Sequence, residues 1–205
     1  MDGVGQVVDA GHSDRAVATG DTVRPPRPHR FTRAEYAILA ESGALGPNPR
    51  VELMYGEIVE MSPQNRRHAN AIVRLTKLLG ARIGDRMALR VQLPFAAADN
   101  LEPEPDFCIV PDTADLEPEH PSTAPLVIEV ADSSLAYDRQ TKLPMYALAG
   151  VAEYWIVDIE GRAVEVYTEP VGDGYANKRT ARVGDTVSAV AVAGLVVRVG
   201  EIFGV

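Results

Sequence analysis

Cysteine and tryptophan are nearly absent: Cys108 and Trp155 are the single examples in 205 residues. One thiol excludes an internal disulfide framework and a cysteine-built zinc site, and it fits a reducing compartment such as the cytoplasm. Positive charge is also short. Lysine and arginine number 20 against 29 acidic residues, for a formal net charge of −9. This excludes a protein that coats nucleic acid by bulk charge, but not one with a local basic groove or a metal-loaded site. Long hydrophobic runs are missing as well. No apolar stretch approaches the roughly 18 residues that cross a bilayer, so no membrane partner is expected. The opening residues, MDGVGQVVDAGHSD, have neither a basic start nor an apolar run, and no secretory signal is expected there. What is present is ordinary globular material, 46% apolar and 24% charged. That composition supports a core of useful size, and the length suits one domain with a tail.

Residues 1–29 lack sustained periodicity and end in a proline- and arginine-rich run, RPPRPHR. Pro25, Pro26 and Pro28 remove backbone donors and forbid helix, so this stretch is read as a disordered tail and stiff linker. Arg24, Arg27 and Arg30 are read as a solvated arm. The domain itself is expected over 30–205.

Thr32 followed by Glu35 makes a capping box, and Gly43 ends the helix it starts. RVELMYGEIVEM reads as a hairpin about Tyr55-Gly56, with its acids on the polar face. Ile72, Leu75, Leu78, Leu79 and Ile83 recur at three- and four-residue steps and predict an amphipathic helix over 66–83. Strands are expected at 86–94 and 106–110. LVIEVA (126–131) is short, β-branched and almost wholly apolar, the pattern of a buried strand. A helix is predicted over 137–149, closed by Gly150, and a second hairpin turns at Glu160-Gly161. The remainder reads as short strands with Gly-Asp turns. Together these predict an α/β (α+β) domain, a mixed sheet flanked by helices with extra β-hairpins.

The informative residues are acids inside apolar strands. Glu129 interrupts LVIEVA, where an unpaired charge is costly and is normally paired, metal-bound or at a strand end facing a cleft. Asp106 has the same character between Glu-Pro-Glu-Pro and Phe107-Cys108-Ile109-Val110. Two carboxylates from adjacent strands supply hard oxygen ligands suited to Mg²⁺, with water completing the shell. Lys142, on the next helix, could reach back over the strand end to hold an attacking water or offset developing negative charge. Glu52 on the first hairpin is a fourth candidate. Taken singly, each acid is more commonly a cap or loop partner, and a lone helix lysine a surface cation. Asp138 and Arg139 read as a cap and an exposed side chain. The ordered set, an acid on a hairpin, acids on two strands and a lysine on a helix, is what points to chemistry.

These residues carry a resemblance. RVELMYGEIVEMSP, His68, EPDFCIV, LVIEVADSS and DRQTKLPMYALAGVAEYWIVDIEGRAVEVY resemble the Uma-two family of restriction-endonuclease-like proteins, within the PD-(D/E)XK nuclease superfamily, over about residues 31–203. The resemblance implies a restriction-endonuclease-like sheet with a divalent-metal site at its edge, holding Mg²⁺ or Mn²⁺. It assigns Asp106 and Glu129 as metal ligands and Lys142 and Glu52 as their catalytic companions. The lysine slot two residues after Glu129 is Ala131 here, so the lysine comes from the following helix. His68 matches a histidine at the start of the long helix, read either as a polar helix-start residue or as a direct participant. The family's Ser-Pro-Ser turn is replaced by Asp132-Ser133-Ser134, which loosens the turn and adds a negative charge beside the metal or in solvent.

The expected function is Mg²⁺-dependent hydrolysis of DNA phosphodiester bonds, with Arg66, Arg67, Arg74 and Arg139 meeting the backbone. A homodimer is expected, with strands in 162–199 as the candidate contact. The rival is a non-catalytic binding module on a nuclease scaffold, motivated by the net charge. A glycosidase is disfavoured because sugar-stacking aromatics are lacking; Trp155, beside Ile156 and Val157, reads as core.

Overall fold

The structure is a computed structural model that describes residues 27–47 and 50–205, with the side chains of 115 and 116 left aside. The expected tail lies, apart from 27–29, outside the described residues, as does Arg24 of its basic arm.

Thr32 caps α1 (Arg33–Glu41). Its hydroxyl accepts from the Glu35 N–H and the Glu35 carboxylate accepts from the Thr32 N–H, the reciprocal pair the sequence predicts. β1 (Val51–Met54) and β2 (Glu57–Glu60) form the first hairpin. Tyr55 and Gly56 both take positive φ, 53° and 77°, as a two-residue turn matched to strand twist requires. Gly56 also lies under Arg30, where a Cβ would meet the Arg30 Cβ at 2.8 Å. Asn65 caps α2 (Arg66–Gly80), accepting from the Arg67 and His68 N–H groups. The helix ends three residues earlier than its apolar spacing suggests. It buries Ala71, Ile72, Leu75 and Leu79 on one face.

The six-stranded mixed sheet is built from β3 (Met87–Val91), β4 (Phe107–Pro111), β5 (Leu126–Ala131), β6 (Glu153–Asp158), β7 (Ala163–Val171) and β8 (Gly174–Arg182), in that spatial order. All pairs are antiparallel except β5–β6. That parallel pair needs a crossover, supplied by α3 (Leu135–Tyr137), a π turn over Asp138–Lys142 and α4 (Leu143–Leu148). β9 (Thr186–Ser188) and β10 (Val196–Arg198) form a small ribbon, and α5 (Val199–Phe203) closes the chain. Among the described residues, no helix is long and apolar enough to cross a membrane.

Period-two alternation divides the sheet's side chains between two cores. Leu126, Ile128 and Val130 join α2 and α5 on one face. Val127 and Ala131 join α4 on the other. Glu129 falls on the α4 side by the same parity, and so does Asp106, two residues before Cys108. Cys108 is buried in that second core, and burial pushes its thiol up to about 12, which makes it a packing residue rather than a nucleophile. Trp155 is fully buried, as its neighbours suggest, and donates to Glu153.

Three sequence expectations are corrected here. Residues 174–182 form one nine-residue edge strand rather than short pieces; its polar run GYANKRTAR hides the strand because an exposed edge needs no apolar alternation. The helix predicted over 137–149 starts at Leu135 and is interrupted by the π turn, in which the Leu143 N–H reaches back five residues to the Asp138 carbonyl. Pro144 accounts for the widening: it has no N–H, and its ring clashes with the carbonyl four residues back. Glu52 is not on a solvated face. β1 packs against the 100–105 segment through the Leu53–Glu102 bridge, and Glu52 is buried behind it.

Candidate active site

The β4–β5 register pairs Phe107 with Ile128, so Asp106 and Glu129 stand opposite one another one step further along. The Asp106 N–H points at Glu129 Oε2, 3.3 Å away. Glu129 Oε1 accepts from Lys142 Nζ at 2.9 Å and from the Tyr146 hydroxyl at 2.7 Å. Lys142 Nζ also lies 3.7 Å from Glu52 Oε1, which accepts from the Glu104 N–H. The four candidate residues are thus neighbours in space although they come from a hairpin, two strands and a helix. All four are buried, and they line or floor a cleft of about 390 Å³ at the C-terminal end of β5.

Asp106 is held on every side. Its Oδ2 accepts from the Val130 N–H (2.8 Å) and lies 3.0 Å from His68 Nε2, while Oδ1 accepts from Gln92 Nε2 (3.1 Å). His68, left open between two readings by the sequence, therefore touches a candidate metal ligand. Asp138 is the residue the sequence misreads. It is buried and lines the cleft, with Oδ2 accepting from Ser134 Oγ, rather than serving simply as a cap. The π turn rotates it inward on the face it shares with Lys142. Tyr146 is not packing alone, since its hydroxyl fixes Glu129; its four-residue spacing from Lys142 is the signal that could have found it. Asp132 is not loose in solvent: it lines the same cleft as Asp106 and Glu129. Asn65 Nδ2 and Arg67 tie it to the start of α2. Of the expected backbone contacts, Arg66 is exposed, and Arg139, also exposed, is braced by Glu165.

The electrostatics follow from four buried carboxylates gathered around one ammonium and one imidazole. Burial is the largest influence on Glu129 and, against the pull of Lys142, pushes it up to about 8. Burial likewise raises Asp138, with Lys142 and Ser134 opposing. Burial works against the charged form of Lys142, but Glu129, Glu52 and Asp138 outweigh it and hold the lysine above its ordinary value. Asp106 goes the other way: burial is overcome by His68, the Val130 N–H and Lys142, and it is held below the usual aspartate range.

This donor set suits a hard divalent cation. Among the described residues no group of three or more His, Cys, Asp or Glu side chains is placed to hold a metal ion. A Mg²⁺-type ion does not need one; it commonly takes one or two carboxylates and fills its octahedron with water and substrate phosphate. Asp106 and Glu129 are the two that face each other at the cleft, and the surplus of buried negative charge is what a divalent ion neutralises.

Fold and site together define a mixed α/β domain with opposed acids at β4 and β5 and a lysine supplied by the β5–β6 crossover. The chain is similar in structure to a "putative nuclease belonging to DUF820" from Anabaena variabilis ATCC 29413, with a TM-score of 0.67, 14% sequence identity, and coverage of 85% of this chain and 98% of that one. In sequence, residues 33–200 match the Uma2 family, described as "Putative restriction endonuclease", and the chain belongs to that family. No curated protein matches it.

Proposed function

We propose that this chain is a metal-dependent endonuclease that hydrolyses DNA phosphodiester bonds at the Asp106–Glu129–Lys142 cleft. The observation that carries the reading is the juxtaposition itself. Lys142 Nζ is 2.9 Å from Glu129, whose neighbour across the strand pair is Asp106, in a cleft that also contains Glu52.

Asp106 and Glu129 would hold Mg²⁺ or Mn²⁺. When bound, such an ion supplies Lewis-acid charge neutralisation at a scissile phosphate and favours deprotonation of a nucleophilic water. The chain's own residues do the positioning. His68, Gln92 and the Val130 N–H fix Asp106; Tyr146 fixes Glu129. Lys142 keeps its proton under the influence of three carboxylates, so it acts as an orienting donor and a charge stabiliser, not as a base. Glu52 anchors the far side of the ammonium. The proposal includes a homodimer, since cutting both strands of a duplex calls for two such clefts, and location in the cytoplasm.

One observation favours a second reading, a binding module on the same scaffold: both Asp106 oxygens and Glu129 Oε1 already have partners within the protein. Incubation of the purified protein with supercoiled plasmid and Mg²⁺ or Mn²⁺ separates the two. The nuclease reading expects nicked and linear product, lost on Asp106→Ala, Glu129→Ala or Lys142→Ala. Unchanged cleavage in the Asp106 or Glu129 variant refutes the assignment of ligands, and absence of cleavage by the unaltered protein favours the binding module.

A further inference from the structure

Outside the cleft, a second polar cluster occupies the same face of the sheet. Register places Glu165 of β7 beside Ile156 of β6, which in turn is beside Glu129 of β5. Two strand steps of about 4.8 Å put Glu165 on the order of 10 Å from Glu129. Its side chain is only 6% exposed, yet it holds two cations that reach solvent. Arg139 grips it with both Nε and Nη2 (2.9 and 2.8 Å), Lys178 Nζ lies 2.9 Å from Oε1, and the Tyr167 hydroxyl donates at 2.7 Å. Arg139 and Lys178 remain 41% and 47% exposed. Lys178 is also braced over the Tyr167 ring, 5.2 Å from its centroid. One buried carboxylate thus holds two cations from different elements in a fixed, outward-facing pose.

The ledge continues along β8. This strand carries Lys178, Arg179 and Arg182 and no acid, in a chain whose net charge is −9. Arg182 lies on the Lys178 face by alternation, with Thr180 exposed between them. Arg139 joins the ledge to the cleft, because it directly follows Asp138, which lines that cleft. Exposed cations on an edge strand are often a guard against edge pairing. That role does not call for a buried acid beneath them, nor for an arginine brought over from a helix. The same row of like charges also opposes pairing of β8 with its symmetry mate in a dimer.

We propose that Arg139, Lys178 and Arg182 form a track for the DNA backbone flanking the scissile phosphate. The inference rests on the nuclease reading above. The spacing fits: 10 Å is about three steps at 3.4 Å of helix axis per nucleotide. The track makes contact through phosphate alone and so carries no sequence preference of its own.

The test is binding of a labelled 30-base-pair duplex to the full chain in EDTA, titrated from 50 to 200 mM salt. Lys178→Gln/Arg182→Gln is expected to weaken binding by about ten-fold or more and to reduce the log–log salt slope by about 1–2. Thr180→Glu, which removes no packing and adds a charge between the two cations, is expected to weaken binding in the same direction. Lys77→Gln, the loss of one exposed cation on α2, is the charge control and should leave the slope unaltered. Affinity and slope equal to the unaltered protein in both track variants, or no measurable binding by the unaltered protein at 50 mM salt, overturns the proposal. Plasmid cleavage in Mg²⁺ is read separately. Track-dependent binding without cleavage removes the nuclease reading and leaves the track; cleavage with an unchanged slope does the reverse.

Discussion

Tyr146→Phe tests whether Glu129 is held by design. The substitution removes one oxygen and leaves the ring where it is, between Phe95 and Tyr154 at centroid distances of 6.3 and 5.1 Å. No cavity forms, so the loss is the hydrogen bond alone. That bond is short, 2.7 Å, fully buried, and made to a carboxylate. Losing one partner of a buried hydrogen bond costs about 1–3 kcal/mol, because the acceptor is left less satisfied in a dry site. A loss of about 2 kcal/mol is therefore expected, which in a domain of this size lowers Tm by about 4–8 °C. Because Glu129 is a proposed metal ligand, freeing its carboxylate should also weaken divalent-ion affinity by about 10–100-fold, the usual effect of removing a partner behind a ligand. Thermal unfolding in EDTA and calorimetry with Mn²⁺ read the two effects independently. A Tm within 1–2 °C of the unaltered protein, a margin set by roughly 0.5 kcal/mol, together with unchanged metal affinity, would refute the claim that Tyr146 orients Glu129.

Other consequences follow from particular contacts. Glu153, fully buried, accepts from Trp155 Nε1 and from the Val190 and Ala191 N–H groups, so Glu153→Ala should cost about 3 kcal/mol and loosen the 189–195 segment, measurable by denaturant titration and amide exchange. Glu165 is opposed by burial but held down to about 2 by Arg139, Tyr167 and Lys178. A depressed carboxylate contributes stability above its unfolded value, near 4.5, that is lost as pH falls through about 2. With half-exposed partners the contribution is about 1–2 kcal/mol, and Glu165→Gln should flatten the stability curve across that window and nowhere above it. Gly56→Ala places a Cβ against Arg30 at positive φ, so a loss of about 1–3 kcal/mol is expected by thermal melt, with a null effect ruling out the turn geometry.

Much of this was legible because burial leaves a pattern. β5 announces itself as an unbroken apolar run, and a single acid in such a run stands out on energetic grounds, so Glu129 could be found from the sequence. Asp106 followed from the same argument, and the Thr32–Glu35 capping box appears as read. The failures have physical causes too. Val51 and Leu53 suggested a one-sided hairpin, but residues 52–54 of β1 are all buried, so alternation loses its meaning along that strand and Glu52 is buried with its neighbours. Asp138 was hidden because a π turn shifts the phase of a helix, and only Pro144 in the helical segment gave notice of it. β8 was hidden because its outer edge is solvated. The Glu165 cluster needed the register of three strands, which no local pattern reveals.

The most direct measurement is calorimetric titration of the purified chain with Mn²⁺, alongside Asp106→Asn and Glu129→Gln. One site per chain, lost in both variants while their far-ultraviolet spectra stay native, is the predicted result. Equal binding in all three proteins, or none in the unaltered chain, contradicts an account in which these two opposed carboxylates exist to hold a divalent cation.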